Sequence, residues 1–282
     1  MTVSAKDLLT VAQPARFIHE TLALTIDGVA LDLAVIHRGG PKAPILFLHG
    51  FGSTKEDYAD ITLQAAFDGH PFIAYDAPGC GETVCADLTR INIPLMVSTA
   101  RAVLGHLGID RFHLVGHSMG GLTGLMLAHA EPGRVLSFVD IEGNIAPEDC
   151  FLSRQIHDHP REDDARFFKD FIARTRLAPD PASALYAASL AHKVRAGAVR
   201  SIFESMVELS DQGTLMDMFL ALPFPRQYLY GATNAHLSYL ESIAAQGVEL
   251  ACIPDCGHFP MYSNPVLMWR CIKALQDRVC RR

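Results

Sequence analysis

A chain of 282 residues, 49% of them hydrophobic and 20% charged, can bury roughly 75% of the surface its unfolded form exposes, which excludes disordered and collagen-like classes and any need for disulfides or a structural metal. The net charge of −7, from 24 Lys and Arg against 31 Asp and Glu, gives no electrostatic reason to bind nucleic acid or an anionic membrane. Met1 to Thr10 lacks the basic start and apolar stretch of a secretory signal, and no run is long enough to span a bilayer, so a cytoplasmic protein is expected.

From Phe17 to Val35 apolar and polar residues alternate around Asp27-Gly28, which predicts an antiparallel hairpin. After Gly39-Gly40-Pro41 the pattern changes to short apolar runs: Ile45 to Leu48, Pro71 to Tyr75, Phe112 to Val115, Val135 to Ile141, Gln227 to Tyr230 and Val248 to Ile253. Such runs read as strands buried on both faces of a parallel sheet. Helical periodicity over Ile93 to Leu107, Met119 to Ala130, Ala235 to Gln246 and Pro260 to Val279 fills the intervals, giving alternating βα units. Between Ile145 and about Ala221 the alternation lapses. This stretch, with Arg161-Glu162-Asp163-Asp164 and several helix-like segments, reads as a helical insertion at the carboxyl edge of the sheet. The expected division is therefore a core of residues 1–144 and 222–282 with residues 145–221 as its cap. Phe167, Phe168, Phe171, Leu185 and Leu190 are expected to pack the insertion on the core, with a subset facing substrate.

Gly116-His117-Ser118-Met119-Gly120 follows one predicted strand and opens a predicted helix, the context that a nucleophile elbow requires. A sharp turn there exposes the Ser118 hydroxyl, and the flanking glycines let strand and helix approach without Cβ clashes. Ser118 is the expected nucleophile, with the Met119 amide at the helix start facing the oxyanion. Earlier, Leu48-His49-Gly50-Phe51-Gly52 ends the first buried strand, so the Phe51 amide can supply a second oxyanion donor. Asp76-Ala77-Pro78-Gly79-Cys80-Gly81 reads as a rigid structural turn at the same edge.

A serine nucleophile needs a base that titrates near neutrality, and the chain has 13 His. His258, in Asp255-Cys256-Gly257-His258-Phe259-Pro260, follows the last strand and so shares the edge with Ser118. His49 and His117 are expected to shape turns. His129, His157, His159, His192 and His236 are read as structural or surface residues. The 7 cysteines, scattered from Cys80 to Cys280, suit reduced thiols, and Cys252 and Cys256 are read as packing around a turn before a zinc site is considered.

Through His49-Gly50-Phe51-Gly52, Asp76 to Gly81, Gly116 to Gly120 and Gly257-His258, in that order over nearly the whole chain, the sequence resembles the α/β-hydrolase superfamily. The resemblance implies an α/β-hydrolase fold, a mostly parallel doubly wound sheet with an N-terminal antiparallel hairpin and a helical cap insertion. It also implies Ser118 as nucleophile, His258 as base, Phe51 and Met119 as oxyanion hole, and no cofactor or metal. One member departs from the pattern: where the family usually carries the triad acid, this chain reads Gly231-Ala232-Thr233-Asn234. Replacing the acid by an amide costs a serine protease about 10⁴ in turnover. Glu142, at the end of the preceding strand in Val139-Asp140-Ile141-Glu142, is the expected acid, an arrangement that resembles the zearalenone lactone hydrolases and certain lipases. Asp140, on the same strand face but deeper, is the second choice.

The expected activity is serine hydrolysis of a carboxylic ester, lactone or related acyl bond in a small, partly apolar substrate. Carbon–carbon bond hydrolysis, thioester cleavage or acyl transfer on the same residues remain open, as does a slow-turnover binding or sensing protein, which Asn234 keeps in play. The sequence pattern is silent on oligomeric state.

Overall fold

The computed structural model describes residues 17–160 and 163–279. Met1 to Thr10, Arg161, Glu162 and Cys280, which entered the expectations above, lie outside the described residues. β1 (Ile18–Ile26) and β2 (Val29–Arg38) form the antiparallel hairpin. Its two-residue turn places Asp27 at φ 50° and Gly28 at φ 77°, the positive angles that let a turn match the twist of its strands. β3 (Ile45–Leu48) and β4 (Phe72–Tyr75) are fully buried runs, as strands covered on both faces must be. A two-residue strand, β5 (Val84–Cys85), pairs with β2.

The rest alternates. α1 (Ile93–His106) starts at Asn92, whose side chain accepts the Leu95 amide at 2.9 Å. β6 (Phe112–His117), α2 (Met119–Ala130) and β7 (Val135–Ile141) follow. Two 3₁₀ segments, Pro147–Phe151 and Ser153–Asp158, then lead into α3 (Asp164–Arg176), α4 (Pro181–Lys193), α5 (Val199–Asp211) and α6 (Leu215–Leu220). The chain returns to the sheet with β8 (Arg226–Gly231), α7 (Leu240–Ala245), β9 (Glu249–Ile253), α8 (Pro260–Ser263) and α9 (Pro265–Val279).

The strand order is β1-β2-β4-β3-β6-β7-β8-β9. β2 runs antiparallel to both β1 and β4, and every later pairing on this path is parallel. The architecture is thus the mostly parallel, doubly wound sheet of the α/β-hydrolase fold. The chain winds outward from β3 to β4 in one direction and from β6 to β9 in the other. Their carboxyl ends part at a switch point, where ligands of open α/β sheets bind. Phe51 follows β3 and Ser118 follows β6, one on each side of it.

Two helix expectations need correction. Ala235 to Gln246 is not one helix: only Leu240–Ala245 is. Side-chain tethers hold the preceding residues out of helical register, since Ser238 gives its amide and hydroxyl to Glu148 and Tyr239 gives its hydroxyl to Asp149. Pro260 to Val279 breaks at Asn264 (φ −148°, ψ 63°), because the residue before a proline is pushed out of the α region. Asn264 then restarts the chain as a cap, its side chain accepting the Leu267 amide at 3.3 Å. No helix among the described residues is long and apolar enough to cross a membrane.

Candidate active site

β6 ends at His117, and the next residue, Ser118, takes φ 52° and ψ −119° before α2 begins. A non-glycine residue in that region stores strain of order 1–3 kcal/mol and persists only where its surroundings hold it. They do so here. The Ser118 amide donates to the Ile141 carbonyl at 2.9 Å, and its carbonyl accepts the Leu122 amide at 3.0 Å. The approach of α2 to the sheet allows no side chain at Gly116, where a Cβ would lie 2.4 Å from the Gly120 carbonyl oxygen.

His258 sits in the loop between β9 and α8, on the same cleft as Ser118. Its Nδ1 lies 2.7 Å from Glu142 Oε2, so Nδ1 carries the proton towards that carboxylate and Nε2 is the nitrogen left for other chemistry. Glu142, just beyond β7, is 5% exposed and has φ 49°. Its two oxygens are well occupied: Oε1 accepts the Gly231 amide at 2.7 Å, and Oε2 also accepts Asn234 Nδ2 at 2.6 Å. Asn234 therefore stands beside Glu142 as a neutral donor. Asp140 makes no such approach to His258 among the contacts of the described residues. It is fully buried, with Oδ1 accepting the Gly143 amide at 3.0 Å. Burial, reinforced by Asp149, pushes its carboxyl well above the usual range.

His117 joins the Ser118 turn to the His258 loop. Its Nε2 donates to the His258 carbonyl at 2.8 Å, and the two rings are 4.9 Å apart. Burial, then the neighbouring His258, lowers its pKa well below that of an ordinary histidine, so it is held neutral. On the other side of the switch point, His49 Nε2 accepts the Ala77 amide at 2.9 Å, with Nδ1 facing the Gly50 carbonyl. Asp76, in the turn read as structural, accepts the amides of Lys55 and Glu82 and the Lys55 ammonium. Burial opposes the charge of Lys55, but its hydrogen bonds to Glu56, Glu82 and Asp76 outweigh that and raise its pKa. These contacts tie the loop carrying Phe51 to the loop after β4. Phe51 lines the cleft. Met119 is the first residue of α2, where helix N–H groups have no intrahelical partner.

The walls of the cleft beyond Ser118 and the histidines are mostly apolar: Phe51, Phe151, Leu152, Phe171, Tyr186, Phe203, Met206 and Phe259. Of the residues read as packing the insertion, Phe171 reaches this wall, Phe167 and Leu190 are fully buried, and Leu185 is exposed. Sequence reasoning did not single out Tyr186, whose buried hydroxyl donates to the Phe51 carbonyl at 2.8 Å while its ring stacks on Phe259 at 4.4 Å. Nor did it single out Asp149 and Ser153, the polar members of the wall. A tyrosine at an inward helical position of α4 was the only available signal for the first, and the other two lie in irregular chain with no pattern to read. Among the described residues no cluster of His, Cys, Asp and Glu could hold a metal, and the six described cysteines, Cys252 and Cys256 included, are free thiols.

A model of the alpha/beta hydrolase family matches residues 45–269. The chain is 33% identical over 112 residues to the dihydrolipoyllysine-residue acetyltransferase component of the acetoin cleaving system of Cupriavidus necator, covering 40% of this chain and 29% of that one. It is 33% identical over 128 residues to 2-hydroxy-6-oxononadienedioate/2-hydroxy-6-oxononatrienedioate hydrolase of Paraburkholderia phymatum, covering 44% of each. The chain thus spans less than half the length of these curated relatives. Among solved structures, a carboxylesterase study of the thaumarchaeon Nitrososphaera gargenis superposes with a TM-score of 0.73 at 16% identity, over 93% of this chain and 99% of that one.

Proposed function

The chain belongs to the alpha/beta hydrolase family, and from that premise we propose that it is a serine hydrolase of a carboxylic ester, lactone or related acyl bond in a small, partly apolar molecule. The observation that carries the reading is Ser118 held at positive φ on the cleft that also holds His258, with His258 paired at 2.7 Å to Glu142. In this mechanism Ser118 Oγ attacks the acyl carbon and its proton passes to His258 Nε2. Glu142 orients the ring and stabilises the imidazolium. The amides of Phe51 and Met119 hold the oxyanion, each worth roughly 10² to 10³ in turnover. His258 returns the proton to the leaving group, which departs, and water attacks the acyl-enzyme with the same base to release the acid and restore Ser118.

Residues 145–221 serve in this proposal as a cap over a core of residues 1–144 and 222–282, supplying Phe171, Tyr186, Phe203 and Met206 to the cleft. The partner is a small-molecule acyl substrate, not nucleic acid or a membrane, and the location is cytoplasmic. A second reading, hydrolysis of a carbon–carbon bond next to a carbonyl on the same residues, is supported by the likeness to the Paraburkholderia phymatum hydrolase.

A reactive fluorophosphonate tests the hydrolase reading, because it labels fast only a serine activated by a base and an oxyanion hole. The expected result is a single adduct on the peptide containing Ser118, lost in Ser118→Ala and His258→Ala. A folded chain that takes no label, and turns over no acyl compound, would overturn hydrolysis in favour of a binding or sensing protein.

A further inference from the structure

Beyond the serine and the histidines the cleft that carries Ser118 is mostly apolar, and among the described residues its one acidic wall residue is Asp149, from the first 3₁₀ segment after β7. Among the described residues no Lys or Arg lines the cleft and Asp149 forms no ion pair. Its oxygens instead accept neutral donors: the Tyr239 hydroxyl at 2.6 Å and the amides of Ile145 and Ala146, both at 2.8 Å. Three hydrogen bonds to a carboxylate favour its ionised form without cancelling its charge. Burial works the other way and pushes the pKa of the group up to about 6, which leaves it ionised in neutral and alkaline solution. The nearby cation Arg154 is engaged outside the cleft by Asp211, at 2.6 and 2.9 Å. Beside Asp149 stands the buried hydroxyl of Ser153, with no hydrogen-bond partner beyond the weak thiol of Cys150. One wall of a mostly apolar cleft thus carries a negative charge with no cationic partner among the described residues, and an underused hydroxyl.

We propose that Asp149 is a specificity-determining residue that makes the cleft a charge filter, accepting acyl groups whose far end is neutral or cationic and rejecting those that end in a carboxylate. This rests on the hydrolase reading and narrows its substrate class. An apolar cleft alone would penalise both signs of charge alike, since each must shed water to enter. An acidic wall breaks that symmetry, returning part of the penalty to a cation and adding to it for an anion. Ser153 adds a contact for a hydroxyl or amide at the same end of the substrate.

The test uses three matched p-nitrophenyl esters, hexanoyl, ω-aminohexanoyl and the adipoyl mono-ester, read as kcat/KM in mildly alkaline solution. The aminohexanoyl ester is expected to exceed the adipoyl ester by about thirtyfold or more. In Asp149→Asn that ratio is expected to fall at least fivefold, a change that a merely structural role for Asp149 would not produce. Equal penalties on the two charged esters in the unsubstituted protein would overturn the proposal, and that comparison needs no variant to fold. A ratio that survives Asp149→Asn would overturn it too, assigning the preference to the overall charge of −7. Turnover of the hexanoyl ester, lost in Ser118→Ala, separates failure of the filter from failure of the hydrolase reading. If no ester is turned over, calorimetry with the three corresponding methyl ketones reads the same order of binding, and equal affinity for the two charged ketones overturns the proposal.

Discussion

The two ends of β6 carry the same residue type in the same burial and do different things with it. At the amino end His113 pairs with the Ser137 hydroxyl at 2.8 Å, its ring 6.3 Å from that of His70. At the carboxyl end His117 donates to the His258 carbonyl across the cleft. Both are about 1% exposed, and burial lowers the pKa of each, that of His113 to about 4. The backbone around them differs. Among the described residues four non-glycine residues take positive φ: Ser118, Glu142 and Asp255 follow the carboxyl ends of the parallel strands β6, β7 and β9, and Asp27 forms the hairpin turn between β1 and β2. Strain gathers where side chains must be aimed, and the opposite edge is left to packing. A buried histidine at the amino end therefore bears on stability, whereas one at the carboxyl end bears on the geometry of the proposed reaction.

The largest effect that would sharpen this contrast is at Ser118. Ser118→Ala should lower turnover of any acyl substrate by about 10⁴ or more while the thermal midpoint stays within a few degrees, since alanine inherits the same strained backbone. Residual activity within tenfold of the parent would break the assignment. Next comes Glu142→Gln, expected to reduce kcat by about 10⁴, or roughly 5.5 kcal/mol of transition-state stabilisation. Asn234→Asp is its companion: it sets a second carboxylate against Glu142 Oε2 and removes a donor, so it should lower activity. A gain in Asn234→Asp would move the acid to position 234, and full activity in Glu142→Gln would remove Glu142 from that role.

The amino end makes a prediction about stability alone. His113 binds a proton far less readily folded than unfolded, so its contribution is present above pH 6.5 and lost as the pH falls from there towards about 4. Between pH 7 and pH 5 the loss is about 2 kcal/mol from this residue, with His70, also lowered mainly by burial, acting in the same direction. Urea unfolding at the two pH values measures it. His113→Gln should flatten the pH dependence by that amount without changing kcat, and an unchanged slope would show that His113 titrates alike in both states.

How far this division was legible in the sequence depends on what each part rests on. Buried strands announce themselves as apolar runs, and the turn at Ser118 announces itself through glycines that backbone packing demands, so the sheet and the residue at its switch point were readable. Glu142 was reached only because Asn234 occupies the usual place of an acid. Its approach to His258 depends on the adjacency of β7 and β8 and on a positive φ that no pattern signals. The broken helix at Asn264 follows from Pro265 and could have been read. The loss of helix before Leu240 could not, because it is imposed by Glu148 and Asp149, some ninety positions earlier. Irregular chain such as Pro147–Phe151 has no period, and its side chains acquire meaning only once folding sets them against the cleft.

The smallest effect discriminates most finely between aiming and packing. Tyr186 is placed to test this: its ring stacks on Phe259, next to His258, and its hydroxyl donates to the Phe51 carbonyl. Tyr186→Phe keeps the ring and removes only the hydrogen bond, leaving a buried carbonyl without that donor, a loss of about 1–3 kcal/mol. If that bond aims the Phe51 amide at the oxyanion, kcat should fall about tenfold with KM nearly unchanged, because the amide's contribution grows in the transition state. Fluorophosphonate labelling should slow in parallel. If Tyr186 merely packs, the same variant should lower the thermal midpoint and leave kcat alone. Tyr186→Ala serves as the control, removing the stack as well and lowering both, since Gly52 and Leu190 close around that ring and neither can fill the space it leaves.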